Sequence, residues 1–252
     1  MFSKLVLPLL LLAATPVFAG DSSAPPMTRT LAWDMSLDAS GKIVTLAAQG
    51  KDDEALQAKL EPVIRNWQFD PGRINSEPVA TETRLNVQIE LVPIEGSEQL
   101  AIKVQDVRTG GQVAAIGRHA RFPKEAMRKM MSGRLAPVQR VLVEVSYDGT
   151  GKPMSVSVVP EVSSQDESLI NASITAAKSW TIKPEQVAGV GVPGKLVSPL
   201  CYFIGNSVAE VNKRNTLCGW FSPIHNVSIG EGQSLALDSA VTLKTDVIGR
   251  ML

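Results

Sequence analysis

Few side chains in this sequence have a type and spacing that would support covalent or metal chemistry. There are two cysteines, Cys201 and Cys218, and two histidines, His119 and His225. Neither cysteine has a CxxC partner or a histidine at ligand spacing, and each histidine lacks a Cys, Asp or Glu cluster of metal-ligand form. Lone histidines of this kind are usually surface or packing residues. There is no GxSxG elbow and no base beside either cysteine, so hydrolysis has no visible machinery. Gly149-Thr150-Gly151-Lys152 has the look of a phosphate loop, yet the full spacing is missing and Pro153 follows the lysine. The chain therefore reads as a binding or coupling protein, not an enzyme, with no metal and no cofactor. The chemistry left to Cys201 and Cys218 is a disulfide, worth roughly 3 kcal/mol for a loop of this length. Two unrelated buried thiols are the alternative.

A disulfide needs an oxidising compartment. The first residues supply a route to one: Lys4, an apolar run from Leu5 to Ala14, and small residues at Val17-Phe18-Ala19 read as a signal peptide over residues 1–19. That run is well short of the roughly 20 residues of a spanning helix and is interrupted by Pro8. No later segment is long and apolar enough to span, so the expected mature chain has no transmembrane segment and sits in the periplasm of a Gram-negative cell. Lys plus Arg and Asp plus Glu number 25 each, so no net field draws the chain to nucleic acid. Aromatics at 5% leave few platforms for stacking bases.

The elements that must position any site are written twice. Ser36-Leu37-Asp38-Ala39-Ser40-Gly41-Lys42 and Ser146-Tyr147-Asp148-Gly149-Thr150-Gly151-Lys152 each lie between alternating apolar runs, the pattern of a β-hairpin. Gly41 and Gly151 supply the positive φ of the turn. A helical stripe follows each hairpin: Leu56, Leu60, Val63, Ile64 and Trp67 in one copy, Leu169, Ala172, Ala176 and Trp180 in the other. Asp52 and Asp53 open the first helix, and Ser164 with Glu167 forms a capping-box pattern for the second. Pro62 predicts a kink or split near Leu60. Trp67 and Trp180 are expected to pack on the sheet, Pro71 and Pro184 close the elements, and long strands follow over Thr83 to Val92 and Leu196 to Phe203.

The predicted fold is α+β: two β-β-α-β modules, each a small antiparallel sheet packed by helices. Residues 20–95 form a trimmed first module, 96–118 a connector in which Ala101 to Val104 can add a strand, 119–204 a second module, and 205–252 an extension. Only the second copy has an entry helix, from Phe122 to Met131. Cys218 is expected to tie the extension back to Cys201. Trp220 packs under that disulfide or joins a contact patch, and Trp33 lies in a strand. Arg118, Arg121, Lys124, Arg128, Lys129, Arg134 and Arg140 gather near Met127, Met130 and Met131. They read as a solvated face with the methionines turned to the core, or as a surface for peptidoglycan, acidic lipid or a protein.

The order Phe122 to Ala126, a valine-alternating strand, Asp148 to Gly151, Ala176-Ala177-Lys178-Ser179-Trp180 and Pro184 resembles the C-terminal domain of TonB, the periplasmic end of a bacterial energy transducer. The match covers about Arg121 to Phe203, with a weaker version over Thr28 to Pro93. The resemblance implies helices on an antiparallel sheet and a partner peptide that adds as a strand to an exposed edge. The expected edge is Leu196, Val197, Leu200 and Tyr202, and the expected partner is an envelope protein, with transport linked to TonB-type energy transduction. A full TonB has an uncleaved membrane helix and a long Pro-rich spacer, whereas this N-terminus reads as cleavable and the 16 prolines are scattered. That points to an adaptor. A structural protein that pairs edges across a homodimer is the alternative.

Overall fold

The computed structural model describes residues 27–50, 53–94, 96–97, 99–205, 218–222, 227–229 and 233–252. The expected signal peptide over residues 1–19, and His225, lie outside the described residues. Apolar alternation builds the first strands. β1 (Met27–Leu37) buries Leu31, Trp33, Met35 and Leu37 on one face and returns through a tight turn into β2 (Ile43–Gln49). α1 (Glu54–Ile64) lays Leu60 and Ile64 on that face, with Leu56 and Val63 half-buried beside them. The helix is not split at Pro62 but runs through it to Ile64. The carbonyl left without a helical donor belongs to exposed Ala58, where water can reach it. Asp53 occupies the N-cap position without a side-chain hydrogen bond, so it does not cap as expected. β3 (Phe69–Asp70), the short hairpin β4 (Arg73–Ile74) and β5 (Glu77–Pro78), and the long β6 (Thr81–Pro93) follow. β6 pairs antiparallel with β1, setting Trp33 opposite Leu85 and Leu31 opposite Val87 in the first core.

The span 96–118 holds two strands. β7 (Leu100–Gly110) lines the other side of β6, and β8 (Gln112–Ile116) leaves it through Gly111. α2 (Lys124–Met131) then precedes β9 (Val138–Tyr147) and β10 (Pro153–Val158), which form an antiparallel hairpin. α3 (Glu167–Ala177) is capped by Asp166, whose side chain accepts from the amides of Ser168 and Leu169. Ser164 was the expected cap, but its hydroxyl donates to Gln139. β11 (Trp180–Lys183) pairs with β8, and β12 (Gln186–Val187) and β13 (Val190–Gly191) extend the first sheet at Thr81 and Glu82 of β6. β14 (Gly194–Phe203) pairs with β9 along its whole length. Helices α2 and α3 cover one face of this second sheet, where Ala126, Val141, Val143, Val145, Leu169 and Trp180 form its core.

The extension is woven into both halves. β15 (Trp220–Ser222) and β16 (Val227–Ile229) pair with each other, β17 (Leu235–Ala236) pairs with Leu196 and Val197, and β18 (Thr242–Leu243) pairs with β3. Ile229 and Leu235 pack with Trp220 against Leu142 and Val197, covering the second sheet's other face. Val241 and Val247 enter the first core. The chain is thus α+β with antiparallel sheets. Among the described residues no helix is long and apolar enough to cross a membrane.

Cys201 and Cys218 are disulfide-bonded, with Cα atoms 5.5 Å apart. Because that bond closes a loop of 17 in sequence separation, reduction is expected to cost about 3 kcal/mol. The check is a urea titration with and without reductant, using a Cys201→Ser/Cys218→Ser chain as the control that should not respond.

Candidate functional site

The predicted anchors are brought together by one set of contacts that occurs twice. Asp38 Oδ1 accepts from Ser40 N, Ser40 Oγ and Lys42 N at 2.8, 2.6 and 3.1 Å. Asp148 Oδ1 accepts from Thr150 N, Thr150 Oγ1 and Lys152 N at 2.9, 2.6 and 3.0 Å. The hydroxyl donors, Ser40 and Thr150, are the first cause holding each carboxyl below the ordinary aspartate value, with the Lys42 and Lys152 amides next. Each turn then grips the short strand after its helix: Phe69 N donates to Gly41 O and Ile182 N to Gly151 O. Pro71 and Pro184 sit beside Gly41 and Gly151. Trp67 and Trp180 are buried in the two cores, as is Trp33 in the first.

The expected binding edge is placed differently from these anchors. Leu196, Val197 and Tyr202 are buried, Leu200 is half-buried, and Tyr202 Oη bonds to Ser173 Oγ at 2.8 Å. On the outer side of β14, Leu235 and Ala236 pair with Val197 and Leu196, Leu237 N donates to Lys195 O, and Ser198 Oγ donates to Gln233 O. A strand arriving at this part of β14 would first have to displace the chain's own tail. The first sheet ends in β13 and β2 and the second in β10 and β17; among the described strands β2 pairs only with β1 and β10 only with β9.

β2 runs beside a polar trough that sequence reasoning missed. The face of the first sheet opposite its core carries Asp34 on β1, Arg84, Asn86 and Gln88 on β6, and Asp106 and Arg108 on β7, aligned by cross-strand register. Two cavities of about 360 and 220 Å³ lie on this face and share Arg84 and Gln112. β2 contributes Gln49 to the larger and Thr45 to the smaller, and the larger is walled on another side by Gln233 to Ala236 of the tail. Between them Asp34 accepts from Gln49 Nε2 at 3.2 Å, Lys183 Nζ at 3.1 Å and Arg84 Nη1 at 3.4 Å. Burial lowers the Arg84 guanidinium from its ordinary value, against the opposing pull of Asp34. Arg108 pairs with Asp106. The lining contains neither Cys nor His, and the trough offers hydrogen-bond donors and acceptors in quantity. The signal available in sequence was the polar half of the alternation in Glu82-Thr83-Arg84-Leu85-Asn86-Val87-Gln88, with Asp34 between Trp33 and Met35 in β1.

The trough is held by one further group without a sequence signal. Glu185 is a 5% exposed carboxylate between β11 and β12. It accepts from Thr83 Oγ1 on β6, and from Ser239 Oγ at 2.8 Å and Ala240 N at 2.6 Å on the tail. Thr83 Oγ1 in turn accepts from Gly110 N at 3.0 Å. Nearby, burial pushes the Tyr147 phenol up to about 12, with Asp238 and Glu185 adding to it.

The basic residues divide. Arg140 turns inward and donates to the carbonyls of Val162 and Gly219, and Lys129 bonds to Asp166 and Glu125. Arg118, Arg121, Lys124, Arg128 and Arg134 are exposed. Met130 faces the core as expected, but Met127 and Met131 do not, at 38% and 74% exposed. His119 is exposed and lines a shallow concavity with Arg118, Arg121, Asn171 and Thr175. Among the described residues no group of three or more His, Cys, Asp or Glu is placed to hold a metal ion. Compared with protein-family models, curated proteins and solved structures, the chain matches none.

Proposed function

We propose that this chain is an exported, periplasmic binding protein of the TonB C-terminal type, built from two diverged copies of one β-β-α-β module, and that it captures an extended segment of an envelope protein by strand addition. The disulfide supports an oxidising compartment. The twice-used turn, with its carboxylate, glycine, short strand and proline in the same contacts, supports the duplication.

The observation that carries the binding reading is the edge of β2. Ile43–Gln49 contains no charged residue, Val44, Thr45, Ala47 and Ala48 are exposed, and β1 is its one partner among the described strands. Such an edge presents unpaired amides and carbonyls as a template, and natural proteins usually block it with Lys or a bulge. A segment laid along it would place alternate side chains on the face shared by Thr45, Ala47 and Gln49, over the trough. Main-chain bonds would then give affinity and the polar cavities selectivity. The reading therefore moves the site from β14 to β2.

The test is a photo-crosslinking residue placed at position 47, 154 or 200 of the mature chain in an envelope extract. Position 47 is expected to give the adduct, and Ala47→Lys is expected to weaken capture about tenfold, the worth of one or two edge hydrogen bonds. Adducts from position 200 alone would return the site to β14, and no adduct from any position would sink the reading. A second reading, self-association, draws on β10: Pro153–Val158 is also free of charge, and Met154 is 69% exposed. Light scattering giving twice the monomer mass, reduced to one by Ala47→Lys or Ser155→Lys, would favour it.

A further inference from the structure

The outer face of α2 is a surface of one sign whose charge the fold leaves unused. Residues 118–134 contain six basic residues and one acid in a chain with 25 of each, so the remainder carries five more acids than bases. The molecule is electrically lopsided although its net charge is zero. That one acid, Glu125, is already paired with Lys129 at 3.1 Å. Among the described residues Arg118, Arg121, Lys124 and Arg128 are exposed cations without an ion pair or side-chain hydrogen bond.

Helical geometry sorts the rest. Ala126 and Met130, four apart, are buried and fasten α2 to the second core beside half-buried Phe122. Lys124, Met127, Arg128 and Met131 recur at spacings of three and four and form the opposite, outward stripe. A purely solvated face would have no use for the thioethers in that stripe. Met131 at 74% exposed is among the most exposed large apolar side chains of the described chain. Arg118 and Arg121 continue the positive field onto the concavity beside α3.

We infer that this face docks the protein on an anionic phospholipid bilayer, with the four unpaired cations over the headgroups and Met127 and Met131 entering the boundary with the acyl chains. Charge complementarity argues for an anionic surface. The flexible thioethers between the cations argue for a bilayer over a soluble polyanion, which offers nothing apolar to receive them. A helix of this length does not insert on its own, so the attachment is reversible and weakened by salt. The inference is independent of the edge of β2, which lies on the other sheet.

The test is co-sedimentation of the mature, oxidised protein with phosphatidylcholine vesicles, with or without phosphatidylglycerol. Binding is expected only with phosphatidylglycerol, and raising the salt should release it. At about 1 kcal/mol per cation, Arg118→Ala/Arg121→Ala/Arg128→Ala should weaken partitioning about a hundredfold. Met127→Ser/Met131→Ser should weaken it about tenfold, from the apolar groups no longer buried. All the exchanged side chains are exposed, and an unchanged urea midpoint confirms that each variant folds. The inference is overturned if wild type ignores phosphatidylglycerol at low salt, if it sediments equally with phosphatidylcholine alone, or if the arginine variant binds undiminished. It is also overturned, in favour of an acidic protein partner, if the methionine variant binds vesicles normally while polyglutamate binds the arginine face.

Discussion

Gly151→Ala is expected to cost on the order of 4 to 5 kcal/mol, enough to threaten the fold of a domain whose total stability is about 5 to 15 kcal/mol. Gly151 sits at φ +83°, a conformation that charges an L side chain about 1 to 2 kcal/mol. The larger part is steric. A Cβ there would stand 1.8 Å from Ile182 O and 2.8 Å from Ile182 C, backbone atoms of β11 that cannot rotate away. Moving them breaks the Ile182 N to Gly151 O bond of 3.0 Å, loosens the buried Ile182 and drags β11 from β8. Gly41→Ala should behave alike, since its Cβ would meet Phe69 O at 1.8 Å. Gly50 supplies the control: its φ is +85°, yet a Cβ there meets nothing within 4 Å. Gly50→Ala should therefore cost about 1 kcal/mol. Urea unfolding of the three variants measures this directly. Equal losses would show that the turn conformation alone matters and that the grip on β3 and β11 does not.

Glu185→Ala is expected to cost about 4 kcal/mol and to release the tail. Removing the carboxylate strands the Ala240 amide and leaves the Ser239 and Thr83 hydroxyls without their acceptor, and donors to a charged group are the more costly ones to orphan. Those donors belong to β6 and to the tail, while Glu185 itself comes from the second half of the chain, so the loss is not confined to one sheet. Limited proteolysis should show early cleavage between residues 233 and 245 in Glu185→Ala and not in wild type. Ser239→Ala, which removes one of the carboxylate's bonds together with the Ser239 Oγ contacts to Thr109 Oγ1 and Val241 N but keeps the acceptor for Thr83 and Ala240, should lose about 2 kcal/mol. If Glu185→Ala costs no more than Ser239→Ala, the carboxylate is not what holds the tail. Because Gln233 to Ala236 wall the larger cavity, a released tail should also open the trough beside β2.

Much of the framework was legible because it rests on local periodicity. Leu31, Trp33, Met35 and Leu37 announce a half-buried strand by alternation, and Leu60, Ile64 and Trp67 announce a helix face; all are in the first core. The turns were legible through Asp38, Gly41, Asp148 and Gly151, whose side-chain chemistry and φ requirements act within a few residues. The caps read less well. Ser164 fits the pattern of a capping box, but Asp166 stands two residues nearer the helix and takes the amides first. One of the two readings of this segment turns Met127 and Met131 to the core, and the rotation of α2, fixed by Ala126 and Met130, instead turns them outward.

The sequence by itself determined the strand faces, the faces of α1 and α3, the two glycine turns and the cysteine pair available for a disulfide, since each depends on interactions of a residue with its near neighbours or on compartment chemistry. Tertiary structure alone decided which edges stay open. β17 and β18 are two residues long, too short for any period, yet β18 pairs with β3, and β17 pairs with Leu196 and Val197 of β14 and so covers part of the edge that resemblance had favoured. It also decided the trough. Asp34, Arg84, Asp106 and Arg108 lie on three strands separated by up to 74 positions, and only the antiparallel register of β1, β6 and β7 sets them side by side. Glu185 belongs with them: a buried carboxylate is tolerable only where donors from distant segments converge, and no local pattern records that convergence.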